Sequence, residues 1–280
     1  DLAWNVETGW RWMFASETIP ATMLLVFLLF VPESPRWLVK QTRNDEAMAI
    51  LSRVNGSKMA HQEIASIKDA IGRESGSLAQ LLAPGMRIAL LIGITLAVLQ
   101  QVTGINVFLY YAPKIFKSIA GAQTDVAMLQ TVVVGAVNMG FTIIAIWTVD
   151  KLGRKPLMIL GYSGMAISLA ALGAATYHER TEDWVLWFIL SYIACFALSV
   201  GPVTWVILSE IFPTKIRGRA MAVATICLWA ANFVVSQTFP MMDENPWLID
   251  QFHHAFPFWL YGLLSIVAVV FLVLFVPETK

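Results

Sequence analysis

The residues with the most chemistry to offer lie where polar groups are least expected. Gln100, Gln101 and Asn106, with Thr103 between them, interrupt an apolar run that begins near Ile88. Amides inside a run long enough to cross a bilayer are costly unless they pair with one another or face a polar cavity. Each amide both donates and accepts, so the set suits a ligand rich in hydroxyls. On an ideal helix, at ~100° per residue, Gln100 and Tyr111 share a face, but Asn106 falls roughly 140° from Gln101. One straight helix cannot aim all three amides at one point. Gly104 lies between them and is the natural place for a break. Two readings fit this stretch: a discontinuous helix lining a site for a polyhydroxylated ligand, or amides joining one helix to its neighbours.

The elements that must carry these residues are membrane helices. The chain is 58% hydrophobic and 14% charged, with a mean hydropathy of +0.66. Ordinary globular domains run at ~45–50% apolar and ~25% charged. The formal net charge is zero, and acidic and basic residues alternate in the one sizeable polar stretch, so nothing points to nucleic acid. Cys195 and Cys227 both lie in apolar runs, and the four histidines show no ligand spacing, so neither a disulfide nor a metal site is expected. No nucleophile–base constellation appears, which argues against an enzyme. No cofactor is expected. Asp1 is not a start residue, and the chain reads as a piece of something longer.

Seven runs are long enough to span a bilayer: 12–31, 88–111, 126–149, 156–177, 184–212, 219–242 and 256–276. Of the 19 Lys and Arg residues, all but Arg11, Lys114, Lys117 and Arg180 fall on one set of loops. By the positive-inside rule that side is cytoplasmic, with Lys280, and Asp1 lies outside. The first loop, about 32–86, has two amphipathic stretches, one opening at Asn44-Asp45-Glu46 and closing at Asn55-Gly56, and predicts two or three short helices. Two runs are interrupted mid-membrane, the second at Gly104 and the fifth at Gly201-Pro202, with Trp205 just after. Omitting the first run leaves two triplets, each led by an interrupted member. Paired interruptions at corresponding positions point to a transporter site at a repeat interface, which favours the ligand-site reading.

Carboxylates and arginines recur together at the cytoplasmic ends. They occur in Pro32-Glu33-Ser34-Pro35-Arg36, Asp150-Lys151-Leu152-Gly153-Arg154-Lys155-Pro156, Glu210-Ile211-Phe212-Pro213 through Arg217-Gly218-Arg219, and Pro277-Glu278-Thr279-Lys280. Topology alone explains the bases but not the acids. A set of salt bridges closing the cytoplasmic side explains both.

Together with Gln-Gln-Val-Thr-Gly-Ile-Asn-Val at 100–107 and Gly201-Pro202-x-x-Trp205, these motifs resemble the sugar porter family of the major facilitator superfamily. Gly9-Trp10-Arg11-Trp12-Met13-Phe14 and Thr238-Phe239-Pro240-Met241-Met242-Asp243 look most like its bacterial xylose–proton symporters. The resemblance implies an all-α polytopic membrane protein of the major facilitator fold. Residues 1–31 would be the sixth span, 32–86 the intracellular helical segment, and 87–280 the C-terminal six-helix bundle. It implies sugar transport by alternating access in a bacterial inner membrane. Protons would couple through an N-terminal half outside this chain, where the symporters carry their coupling Asp. Glu17, inside the first run, reads as structural. A facilitative carrier and a sugar sensor are the alternatives.

Carried over by position, Gln100, Gln101, Asn106 and Asn138 would hydrogen-bond sugar hydroxyls. Trp205 and Trp229 would supply flat apolar plates, with Phe196 and Gly201 shaping the pocket. Tyr110 and Tyr111 would belong to the extracellular gate. Glu33, Arg36, Arg154, Glu210 and Arg217 would form the cytoplasmic salt-bridge lock. Leu228 departs from the pattern, since xylose and glucose porters usually carry an amide before the second Trp. One ~100° step from Trp229, it is expected to border the same pocket and to alter the choice of sugar.

Overall fold

The structure, a computed structural model, describes residues 8–72, 81, 83, 85–119, 124–179, 184–213 and 216–278. Asp1 and Lys280, the ends used in the orientation reading, lie outside the described residues. The chain forms two compact units, Asp1–Ser75 and Gly76–Lys280.

The first unit holds α1 (Trp10–Leu28), α2 (Pro35–Lys40), α3 (Asn44–Asn55) and α4 (Ser57–Gly72). Asp45 and Glu46 sit in the first turn of α3, where negative charge complements the helix dipole. Arg43 clamps both oxygens of Glu46 at 2.7 Å, and Gly56 closes the helix at φ +80°. Leu38, Val39, Ala47, Leu51, Ala60 and Ile64 bury one face each of α2, α3 and α4 in a small shared core. The three short helices match the two or three expected from the amphipathic pattern. Among the described residues, six of the seven expected runs are helices long and apolar enough to cross a bilayer, and α1 contributes an apolar stretch over Phe14–Leu28.

Those six belong to the second unit. The first is split into α5 (Met86–Val102) and α6 (Ile105–Tyr110) and is followed by the short α7 (Ala112–Ile119). Next come α8 (Thr124–Leu152) and α9 (Arg154–Tyr177). The fourth is α10 (Trp184–Cys195), a π turn at Phe196–Val200, and α11 (Gly201–Ile211). Then follow α12 (Arg217–Asp243), the short α13 (Pro246–Phe252) and α14 (Phe256–Phe275). Between membrane helices, close approach depends on small residues rather than on expulsion of water. Gly161 lies against Ser199 and the Cys195 carbonyl, and Gly173 against the indole of Trp259. These notches let α9 pack between α10 and α14.

The break at Gly104 stands where it was predicted, whereas at Gly201-Pro202 the span stays helical and carries a π turn instead of a break. Gly104 takes the left-handed conformation, φ +88° and ψ +16°. A Cβ there would lie 2.6 Å from the buried ring of Tyr261, so this turn requires glycine on two counts. In the fourth span the π turn runs directly into Gly201-Pro202, where proline removes a backbone donor.

Candidate functional site

The break and the π turn meet through one side chain. Gln100, 3% exposed in the last turn of α5, donates from Nε2 to the carbonyls of Val200 and Gly201 at 3.3 and 3.0 Å. These oxygens belong to the π turn and its junction with α11, where regular helical pairing is disturbed. Thr204 Oγ1 also donates to the Val200 carbonyl, at 2.7 Å. The other end of the Gln100 amide, Oε1, is buried with no hydrogen-bond partner. Leaving such an oxygen unpaired costs about 1–3 kcal/mol, so it favours any hydroxyl that can reach it. Phe196 leans over Gly201, its Cε1 3.1 Å from where a Cβ would be.

The backbone at Gly104 is held from two sides. Tyr192 on α10 donates to the Thr103 carbonyl at 2.9 Å, and Thr103 Oγ1 donates to the Gln100 carbonyl at 3.2 Å. Beyond the break, the chain turns Asn106 back toward Gln101. Asn106 Nδ2 donates to Gln101 Oε1 at 2.6 Å and to Asn232 Oδ1 of α12 at 2.9 Å. The break thus does what a straight helix could not: it brings Gln101 and Asn106 into contact. Asn232 was missed in the sequence reading, although an amide in mid-span was signal enough to find it.

Further along, Tyr111 donates its hydroxyl to the Ser236 carbonyl at 3.1 Å and sets its ring 5.4 Å from Phe239. Tyr110 is exposed. Lys114 Nζ lies 2.6 Å from Glu244 Oε1 and 3.6 Å from Asp243. The hydrogen bond to Glu244 holds the Lys114 ammonium above its ordinary pKa and the Glu244 carboxyl below its own.

Other expected members stand apart from this network. Asn138 is half-buried on α8, and its carbonyl and Oδ1 accept from Thr142 Oγ1 at 2.8 and 3.4 Å, bonds confined to its own helix. Trp205 and Trp229 are 38% and 57% exposed, and among the described residues neither ring stacks or hydrogen-bonds. Leu228 needs a correction. It is 3% exposed and packs in a cluster with Ala97, Leu208, Phe212 and Ala224. The step around α12 that turns the Trp229 indole outward carries Leu228 into the seam with α5 and α11, not to the border of a pocket.

At the opposite end, Arg154 Nη2 lies 3.1 Å from Glu210 Oε1 and 3.3 Å from Asp150 Oδ1, and its backbone N–H donates to Glu278 Oε1 at 3.2 Å. The three acidic motifs of the second unit, of the four in the chain, therefore converge on one arginine. Arg217 instead donates from Nε to the Phe212 carbonyl at 3.2 Å, closing its own turn. Glu33 and Arg36 belong to the first unit.

A known family matches nearly the whole chain. The family model described as "Sugar (and other) transporter" matches residues 2–280. The chain belongs to the sugar transporter family. Its relatives in that family include the D-xylose-proton symporter of Escherichia coli strain K12, 49% identical over all of this chain and 57% of that protein. The arabinose-proton symporter of Bacillus subtilis strain 168 is 44% identical over 99% of this chain and 59% of its own length. A solved structure of the proton:xylose symporter XylE bound to 6-bromo-6-deoxy-D-glucose superposes with a TM-score of 0.83 at 48% identity, covering 100% of this chain and 58% of that one. The fold is that of the C-terminal part of a major facilitator sugar transporter, and the chain spans less than two thirds of the length of these relatives.

Proposed function

We propose that this chain forms the C-terminal half of a sugar–proton symporter that works by alternating access, with D-xylose as its substrate. The observation that carries the reading is the Gln101–Asn106–Asn232 amide row drawn together across the break at Gly104. Gln100, Gln101 and Asn106 meet sugar hydroxyls. Asn138 adds an amide from α8, and Trp205 and Trp229, with Phe196 over Gly201, offer apolar plates to the sugar's C–H faces. Tyr110 and Tyr111 gate the outer side. Among the described residues of the six spans, the carboxylates Asp150, Glu210 and Asp243 lie at the helix ends, so the coupling proton binds elsewhere in the complete carrier. In the complete carrier, Gln100→Ala and Asn106→Ala each weaken xylose binding by about 0.5–3 kcal/mol, measured by calorimetric titration, because a buried hydroxyl loses its partner. Intact binding with an earlier melt would make the amides mere helix-to-helix bonds.

The protein sits in a bacterial inner membrane with its C-terminus cytoplasmic, and the Arg154–Glu210 cluster closes that side. Loss of a charge-assisted hydrogen bond is worth about 1.5–3 kcal/mol, enough to shift a two-state balance tenfold or more. Arg154→Cys should therefore slow transport while xylose still binds. The introduced thiol should react with an impermeant reagent in inside-out vesicles and not in right-side-out ones. Labelling from the outer side would reverse the orientation, and unimpaired transport would remove the lock.

A further inference from the structure

Asn232 stands midway along α12, 7% exposed, with its Oδ1 2.9 Å from Asn106 Nδ2. We propose that Asn232 is a positioning residue that fixes which face of the Asn106 amide is offered to the sugar. This rests on the reading of Gln101 and Asn106 as sugar ligands.

The argument is a count of hydrogens. A primary amide has two N–H bonds and one oxygen. Asn106 Nδ2 donates to Gln101 Oε1 at 2.6 Å and to Asn232 Oδ1, so both its hydrogens are engaged. What Asn106 has left is Oδ1. Gln101 and Asn232 each contribute an oxygen, so each keeps its amino group. Among the described residues no hydrogen bond engages Asn106 Oδ1, Gln101 Nε2 or Asn232 Nδ2. The row therefore offers the Asn106 oxygen as an acceptor, with the Gln101 amino group beside it as a donor. Turning over one amide alone would set two N–H groups or two oxygens face to face. The pattern is reversed only if all three turn together. Without Asn232, Asn106 is held by a single bond and offers a free N–H beside its oxygen.

The contacts beyond the break carry the same logic outward. Asn232, Ser236, Phe239 and Asp243 are spaced four, three and four residues apart, one face of α12. They receive Asn106, the Tyr111 hydroxyl, the Tyr111 ring and Lys114 in turn. The segment after Gly104 thus rests on α12 along its length, and Asn232 is the rung nearest the break. Ser236 Oγ donates to Asn232 Oδ1 at 3.3 Å and steadies that rung.

The test uses the complete purified carrier and titration with xylose. Asn232→Leu removes the acceptor at similar volume and should weaken binding about threefold to tenfold. In an Asn106→Ala background the same change should add less than a further twofold. Asn232→Asp keeps an acceptor oxygen and should bring affinity back to within twofold of the parent. Additive losses from Asn232→Leu and Asn106→Ala, or parental affinity in Asn232→Leu, overturn the proposal. If Asn232→Leu does not fold, Asn232→Ser, too short to reach Asn106, gives the same comparison. Should Gln101→Ala and Asn106→Ala both bind xylose normally, the sugar site itself is misplaced and the proposal falls with it. When those two weaken binding and Asn232→Leu does not, the site stands and the positioning role alone is lost.

Discussion

Gly104→Ala destabilises the carrier by about 2–5 kcal/mol and abolishes high-affinity sugar binding. Two separate costs add. A side chain in the left-handed region costs about 1–2 kcal/mol. The new methyl also meets the Tyr261 ring, whose nearest atoms lie 2.6 and 2.9 Å from the Cβ position. Tyr261 is buried, and forcing extra volume into a packed interior costs about 1–3 kcal/mol. Tyr261→Leu in the same protein should recover the second cost and leave the first. Thermal melting in detergent separates the two. A single variant as stable as the parent would show that the chain at residue 104 does not take this conformation. The binding loss has a distinct cause: a shifted turn carries Asn106 away from Gln101, which it meets at 2.6 Å across the break.

Leu228→Ala lowers stability by about 2–4 kcal/mol, through lost burial and the cavity left behind. Its packing with Ala97, Leu208, Phe212 and Ala224 sits where α12 meets α5 and α11, and small neighbours such as alanine cannot swing in to fill the space. Xylose affinity should stay within about twofold, because the side chain does not reach open space. A tenfold loss of affinity at unchanged melting temperature would return Leu228 to the pocket border.

Leu228 also shows where sequence reasoning stopped. The spans, the three short helices of the first unit and the break at Gly104 were readable because their signals are local: apolar length, charge at loop ends, a glycine between amides. So was the identity of the family, carried by motifs a few residues long. Asn232, an amide in mid-span, was visible in the sequence, but its pairing with Asn106, 126 residues away, was not. Leu228 was misplaced because a ~100° step separates a seam from an open face, and no periodicity resolves one step. Of the charges expected in the lock, Arg154 and Glu210 pair, and which others converge on Arg154 depends on where α8, α9, α11 and the end of α14 stop, which is a matter of packing.

The way Gln100, Gln101, Asn106 and Asn232 hold one another has a thermodynamic consequence. Their rotamers are set by folding, through bonds to Val200, to Gly201 and among themselves. A flexible polar side chain that orders only when a ligand arrives takes about 0.5–1.5 kcal/mol from the binding free energy. Here that entropy has already been given up before the sugar enters. Xylose binding should accordingly show little of the unfavourable entropy that accompanies side-chain ordering. In the carrier proposed above, such a site would release its cargo without first losing its shape, and would return to the other side of the membrane ready for the next.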